Sequence, residues 1–244
     1  MQPYLLLDAG WTLVFPNYRL MCEVMLRHGH DIAEERLRRA AAQILRRYDE
    51  LLKMGEGAWD TSSFMLWVLE SVGIGEEHIP PITRELAISH AEKSLWAHTY
   101  SWVHDALASL AALGCRMSVI SNADGRVEHE LADLGLMQHF EAVFDSHIVG
   151  HAKPDPRFFQ HAMTRLSLQP TQCLYVGDVF FIDVLGANRA GIAAVHLDPY
   201  GLYHGWPGVH IPSLAALPDL LAQDLDLSAD DFFPLRDHAP TGFW

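Results

Sequence analysis

The chain has 244 residues, half of them apolar and a fifth charged, which fits one or two folded soluble domains and excludes collagen-like, low-complexity and wholly disordered chains. Acidic residues outnumber basic ones 31 to 17, a net charge of −14, so neither nucleic acid nor an anionic lipid surface is expected as a partner. An anionic substrate would need a local positive site or a metal, and the only lysines are Lys53, Lys93 and Lys153.

Cys22, Cys115 and Cys173 lie far apart, which fits neither a disulfide framework nor a zinc ribbon and suits a reducing compartment. No apolar run approaches the ~18 residues needed to span a bilayer. The opening MQPYLLLDAG lacks the basic and long apolar regions of a signal peptide. The expectation is a cytoplasmic protein without a membrane partner.

The elements follow in chain order. Tyr4 to Leu7 is continuously apolar and ends in Asp8, the pattern of a central parallel strand. From about Asn17 to His98 the chain reads as all helix. Asp31 with Glu34 resembles a capping box. Leu37, Ala41, Ile44, Leu45, Tyr48, Leu51 and Leu52 then recur at helical spacing until Gly55 and Gly57. A second helix is predicted over about 61–72. A third is predicted over about 82–97, behind Pro80 and Pro81.

From Ser101 to about Leu221 helix and strand alternate. The apolar stripe Val103, Ala106, Leu107, Leu110 and Leu113 predicts a helix stopped by Gly114. Strands are expected at 117–120, 142–144, 173–176 and 193–197. Helices are expected around Val127 to Leu134 (stopped by Gly135), after the Asp155-Pro156 cap, and over about 184–190.

This alternation predicts an α/β fold, a Rossmann-like doubly wound parallel sheet. About 80 helical residues after the first strand are too many for a loop and predict an inserted all-helical cap domain. The expected division is a core of residues 1–16 and 99–221, a cap of 17–98 and an acidic tail of 222–244. The tail carries Asp224, Asp226, Asp230, Asp231 and Asp237 and reads as solvated, although Phe232, Phe233, Phe243 and Trp244 leave room for a docking or dimer contact. The stretch Pro199 to Gly208 reads equally as a lining of the substrate entrance or as a surface loop.

Ligands of open α/β sheets bind beyond the carboxyl ends of the strands. Asp8 ends the first strand, Ser121 and Asn122 follow the second, and Gly177-Asp178 follows the fourth, with Asp183 five residues on. Three convergent carboxylates repel one another and need a cation. An all-oxygen donor set suits Mg²⁺. Ser121 and Lys153 would hold an anion beside it, and a free carboxylate would attack a phosphoryl group. Each of these residues has a structural explanation when taken alone; their joint order along the strands is what points to one active site.

Four stretches, LLLDAGWTLV (5–14), VISNAD (119–124), GHAKPDPRFF (150–159) and VGDVFFIDVLGANRAG (176–191), resemble the haloacid dehalogenase (HAD) superfamily, in the group with a helical cap after the first strand. The resemblance covers residues 4–220. It implies that Asp8 is nucleophile and metal ligand, that the Gly10 carbonyl is a second ligand and that Thr12 supports the turn. It implies further that Ser121 and Asn122 bind the phosphoryl group, that Lys153 bridges it to the carboxylates, and that Asp178 and Asp183 complete the Mg²⁺ site. The implied substrate is a small phosphorylated molecule, and the implied assembly a monomer or homodimer.

One position departs from the pattern. Phosphatases of this superfamily usually carry an aspartate two residues after the nucleophile, where this chain has Gly10. Such an acid is worth ~10²–10⁴-fold. Its absence leaves open esters with good leaving groups, a recruited donor such as His147, His151 or a cap residue, and a phospholigand- or partner-binding protein that turns over poorly. It also leaves open a 2-haloacid dehalogenase, although those enzymes need no metal and carry serine–asparagine where this chain has Gly177-Asp178. A phosphonatase would need a Schiff-base cap lysine, and neither Lys53 nor Lys93 has suitable neighbours. Trp11 stands where the superfamily usually has a small residue.

Overall fold

The computed structural model describes residues 2–54, 61–223 and 225–234. Two compact units emerge, one from residues up to Phe15 and from Thr99 onward, the other from Pro16–His98.

The larger unit is built on a six-stranded, all-parallel sheet of order β3-β2-β1-β4-β5-β6. Its strands are β1 (Tyr4–Leu7), β2 (Met117–Ser121), β3 (Val143–Asp145), β4 (Cys173–Gly177), β5 (Ala193–Leu197) and β6 (Val209–Ile211). Leu5, Leu6 and Leu7 are all fully buried, so both faces of β1 are covered. Each such side chain withdrawn from water contributes about 1.5–3 kcal/mol. The chain runs outward from β1 to β3 and then returns to lay β4 on the other side of β1. Between β1 and β4 the order reverses, and there a crevice opens at the carboxyl ends.

The second unit is helical: α1 (Tyr18–Arg27), α2 (Glu34–Lys53), α3 (Thr61–Ser71) and α4 (Ile79–Glu92). α2 buries Leu37, Ala41, Ile44, Leu45, Tyr48 and Leu52 along one stripe. Glu85 of α4 accepts from Arg27 Nε at 2.8 Å and contacts His28 Nε2 at 2.8 Å, tying α1 to α4. The Arg38 guanidinium lies 4.6 Å from the centre of the Tyr18 ring.

Several boundaries differ from the sequence reading. No capping box forms at Asp31; α2 starts at Glu34 behind Ala33, which makes no side-chain cap, while its two leading glutamates favour the positive helix end. Pro80 and Pro81 lie inside the first turn of α4, where a missing N–H costs nothing, and α4 stops at Glu92, short of 97. Gly55 and Gly57 lie outside the described residues.

In the larger unit α5 (Ser101–Ala112), α6 (Val127–Asp133), α7 (Ser146–Val149), α8 (Pro156–Leu166), α9 (Leu185–Arg189) and α10 (Leu217–Leu221) flank the sheet. Asp155 caps α8 by accepting from Arg157 N at 2.9 Å. α9 is preceded by a π-helical turn, Phe180–Val184, which the sequence reading did not foresee. The expected solvated tail docks instead, as far as Pro234: Phe232 and Phe233 are buried, and Asn188 Nδ2 donates to Phe232 O at 3.0 Å. Asp224, Asp237, Phe243 and Trp244 lie outside the described residues. The 199–208 stretch is anchored as well, with Tyr203 buried and Asp198 accepting from Leu202 N and Tyr203 N at 2.8 and 2.9 Å. Among the described residues no helix is long and apolar enough to cross a membrane.

Candidate active site

Strand register sets the site. Leu7 pairs with Val119 on one side and Val176 on the other, so Asp8 leaves β1 level with Ile120 and Gly177. Asp8 N donates to Val176 O at 2.9 Å, extending the ladder by one residue. The chain then turns tightly, with Ala9 O accepting from Leu13 N and Val14 N at 2.8 and 2.9 Å. Trp11 takes a left-handed conformation in this turn, φ 47°. That conformation costs a non-glycine residue roughly 1–3 kcal/mol. Thr12 is fully buried, and its hydroxyl has no hydrogen-bond partner among the described residues.

Lys153 Nζ is the hub of the site. It donates to Asp8 Oδ1 at 2.5 Å, Asp183 Oδ1 at 2.7 Å and Tyr175 Oη at 2.9 Å, using all three of its N–H groups. The other oxygen of Asp183, Oδ2, accepts from Val179 N at 2.9 Å. Asp183 packs directly over Gly177: a Cβ there would lie 2.5 Å from Asp183 Oδ2 and 2.7 Å from Asp183 Cβ. Only glycine at 177 lets the carboxylate reach the lysine.

Asn122 grips the main chain of Lys153. Its Oδ1 accepts from Lys153 N at 2.8 Å and its Nδ2 donates to Lys153 O at 2.9 Å. The carboxamide thus fixes the main chain of the lysine. Ser121 is buried at the end of β2, in register with Asp145. Neither histidine considered as a replacement acid joins the carboxylates. His147 has its ring carbon 3.3 Å from the Cβ position of Gly125, and His151 Nδ1 is 3.9 Å from Asp155 Oδ2.

Sequence reasoning missed Tyr175 and His196, each hidden in a strand that reads as apolar. Tyr175 Oη can donate to Asp183 Oδ1 at 3.1 Å or to Ile120 O at 3.2 Å. His196, 1% exposed, places Nε2 3.0 Å from Asp178 O and Nδ1 2.9 Å from His210 Nδ1.

Burial dominates the electrostatics. It raises the Asp8 carboxyl above its ordinary range against the pull of Lys153, and it raises Asp178 further, helped by the charges of Asp8 and Asp183. Burial also works against the Lys153 ammonium, but Asp183 and Asp8 together hold its pKa above the usual lysine value. Burial lowers His196 to about 4, with a smaller contribution from His210, so the ring is neutral near pH 7.

One carboxylate oxygen from each of Asp8, Asp178 and Asp183 lies within 4.8 Å of the others. Asp178 Oδ2 is buried and unpartnered among the described residues. Lys153 pairs with two of the three carboxylates, Asp8 and Asp183. The orphaned oxygen, the excess negative charge and the all-oxygen donor set fit a hard divalent cation such as Mg²⁺.

Comparison with known proteins agrees with this geometry. Residues 68–197, just over half of the chain, match the haloacid dehalogenase-like hydrolase family. The chain belongs to this family. One HAD relative is the human haloacid dehalogenase-like hydrolase domain-containing protein 3, 34% identical over 146 residues, 57% of each chain. Another is the glyceraldehyde 3-phosphate phosphatase of Methanopyrus kandleri, 28% identical over 169 residues, 68% of each chain. The matched region spans about half the length of the first of these curated relatives. The HAD hydrolase YfnB of Bacillus subtilis shares the fold, with a TM-score of 0.61 at 16% identity over 91% of this chain and 99% of that one.

Proposed function

We propose that this HAD protein is a cytoplasmic, Mg²⁺-dependent phosphoric monoester hydrolase acting on a small phosphorylated metabolite, with Asp8 as nucleophile. The observation that carries this reading is the convergence of Asp8, Asp178, Asp183 and Lys153 at the switch point of the sheet. The phosphatase activity of the archaeal relative supports the substrate class. Residues 17–98 would form the cap that closes over the substrate, as lids do.

Asp8 Oδ attacks phosphorus in line, the bond from phosphorus to the ester oxygen breaks with its electron pair going to that oxygen, and an aspartyl phosphate remains. Lys153 keeps its charge beside the reacting carboxylate because Asp183 pairs with it there, while Tyr175 accepts a further hydrogen bond. Ser121 donates to a phosphoryl oxygen. Water then attacks the acyl phosphate, which releases inorganic phosphate and restores the Asp8 carboxylate. Asp8, Asp178, Asp183 and the Gly10 carbonyl would hold Mg²⁺, which when bound would supply positive charge to offset that of the phosphoryl oxygens.

Gly10 has no side chain to protonate the leaving oxygen, which favours esters of acidic alcohols or phenols. Phosphate release from a panel of phosphorylated metabolites and one aryl phosphate tests the reading, with Mg²⁺ or chelator and with Asp8→Asn as control. Mg²⁺-dependent release lost in Asp8→Asn is expected; no release from any ester by folded, metal-loaded protein would refute it.

Gly10 also motivates a second reading, a phospholigand- or partner-binding protein with little turnover. Gly10→Asp separates the two: a rise of ~10²-fold or more in turnover supports an enzyme lacking only its acid. No rise, with ligand-dependent stabilisation retained, supports the binding protein.

A further inference from the structure

Asp178 stands on the turn that joins β4 to the π-helical segment, and its Oδ2 has no hydrogen-bond partner among the described residues to aim it. The direction of its carboxylate is therefore set by the main chain. The peptide unit between Asp178 and Val179 is gripped at both ends. Its N–H donates to Asp183 Oδ2 at 2.9 Å, and its carbonyl oxygen faces His196 Nε2 at 3.0 Å. The first contact comes from a neighbouring carboxylate of the same cluster; the second crosses from β5.

A carbonyl oxygen only accepts, so the His196 proton sits on Nε2. With its Nε2 hydrogen committed to that carbonyl, the buried ring offers Nδ1 as an acceptor. His210 Nδ1 faces it at 2.9 Å and supplies the hydrogen. The other nitrogen of His210, Nε2, lies 3.2 Å from Pro207 O. Ring contacts hold the imidazole in place: Tyr203 at 4.3 Å and Phe180 at 5.4 Å between centroids. Burying a polar ring is costly unless its nitrogens are satisfied, and here both are.

We propose that His196 is a positioning residue for the metal site: its Nε2–H orients the Asp178 peptide, and thereby the Asp178 carboxylate, while His210 fixes the tautomer that allows it. This inference rests on the reading of Asp178 as a metal ligand given above. Groups that orient metal ligands typically change affinity by ~10–100-fold when removed.

The test is calorimetric titration of the full chain with Mg²⁺. His196→Leu is expected to weaken binding by ~10-fold or more, and His210→Leu by a few-fold, whereas His196→Gln, whose amide N–H replaces Nε2–H, holds affinity within ~3-fold. A general loss of packing would lower the melting temperature of His196→Leu and His196→Gln alike without separating their Mg²⁺ affinities. ¹⁵N NMR of the wild-type imidazole should show the Nε2–H tautomer. The proposal is overturned if that spectrum shows Nδ1–H, or if His196→Leu is folded and binds Mg²⁺ as wild type does. Should His196→Leu not fold, unchanged Mg²⁺ affinity in folded His210→Leu overturns it instead. Asp178→Asn separates this claim from the one beneath it. Mg²⁺ binding undiminished in Asp178→Asn removes the metal reading and the positioning role together; binding lost there but intact in His196→Leu removes the positioning role alone.

Discussion

Gly177→Ala is the sharpest structural test of the site. The new Cβ would stand 2.5 Å from Asp183 Oδ2 and 2.7 Å from Asp183 Cβ, distances real side chains do not tolerate. Asp183 Cβ is tied to the backbone of the π-helical turn, so a change of rotamer alone does not relieve the clash. Asp183 would have to withdraw from Lys153 Nζ at 2.7 Å, Tyr175 Oη at 3.1 Å and Val179 N at 2.9 Å. Overpacking of this kind costs about 1–3 kcal/mol. Weakened hydrogen bonds to a buried charge add about 1.5–3 kcal/mol, not additively, for a total of roughly 3–5 kcal/mol. In a chain of this size each kcal/mol is worth about 2–4 °C, so the melting temperature should fall by roughly 6–20 °C. Thermal unfolding followed by circular dichroism in chelator measures it, with a parallel Mg²⁺ titration. Gly114→Ala is the control. Unlike Gly177 it has a positive φ, 85°, and a Cβ built there meets no atom within 4 Å. It should lose only about 2–4 °C, the effect of a strained backbone alone. A Gly177→Ala melting temperature within about 2 °C of wild type, with Mg²⁺ affinity unchanged, would refute the packing of Asp183 over Gly177.

Lys153→Met leaves Asp8 and Asp183 buried without their cation and should cost roughly 3–5 kcal/mol in chelator. Added Mg²⁺ should stabilise this variant more than it stabilises wild type, and an equal or smaller Mg²⁺-dependent shift in melting temperature would contradict the charge balance. Asp8→Asn should behave oppositely. A carboxyl held above its ordinary range contributes stability at low pH, and that contribution is lost as pH rises through the folded-state value. At pH ~7.5 in chelator the variant should therefore melt no lower than wild type while losing phosphate release; a large drop in melting temperature would count against the burial argument. His196, pushed down to about 4, stays neutral in the fold while the unfolded chain protonates near its ordinary value. Wild type should thus lose up to ~3 kcal/mol relative to His196→Gln as pH falls from about 6.5 to 4. Urea unfolding at several pH values checks this, and parallel curves for the two proteins would refute it.

The parallel sheet was legible because β1, β2, β4 and β5 are runs apolar on both faces, each followed by a polar residue where the crevice opens. β6 was not, since Val209-His210-Ile211 is three residues long, follows Pro207-Gly208, and carries a histidine at its centre. The carboxylate cluster could be read from strand-end positions alone. Tyr175 and His196 could not, because a polar atom inside a strand reveals its partner only once neighbouring strands are in register. The bond from the Asn122 carboxamide to the backbone of Lys153 was hidden for a related reason, since it joins residues 31 apart in sequence. Docking of the acidic segment by Phe232 and Phe233 was legible only as an option, since two phenylalanines among aspartates do not say which surface receives them.

Everything proposed for this site depends on Asp8 being the group that takes the phosphoryl. The measurement is an acid-quenched reaction of the enzyme with Mg²⁺ and its best substrate, followed by peptide mass spectrometry. The expected result is the mass of one phosphoryl group on the peptide that contains Asp8, labile to hydroxylamine and absent from Asp8→Asn. Phosphate release at an undiminished rate by Asp8→Asn, or a phosphoryl group trapped on a different residue, would contradict it.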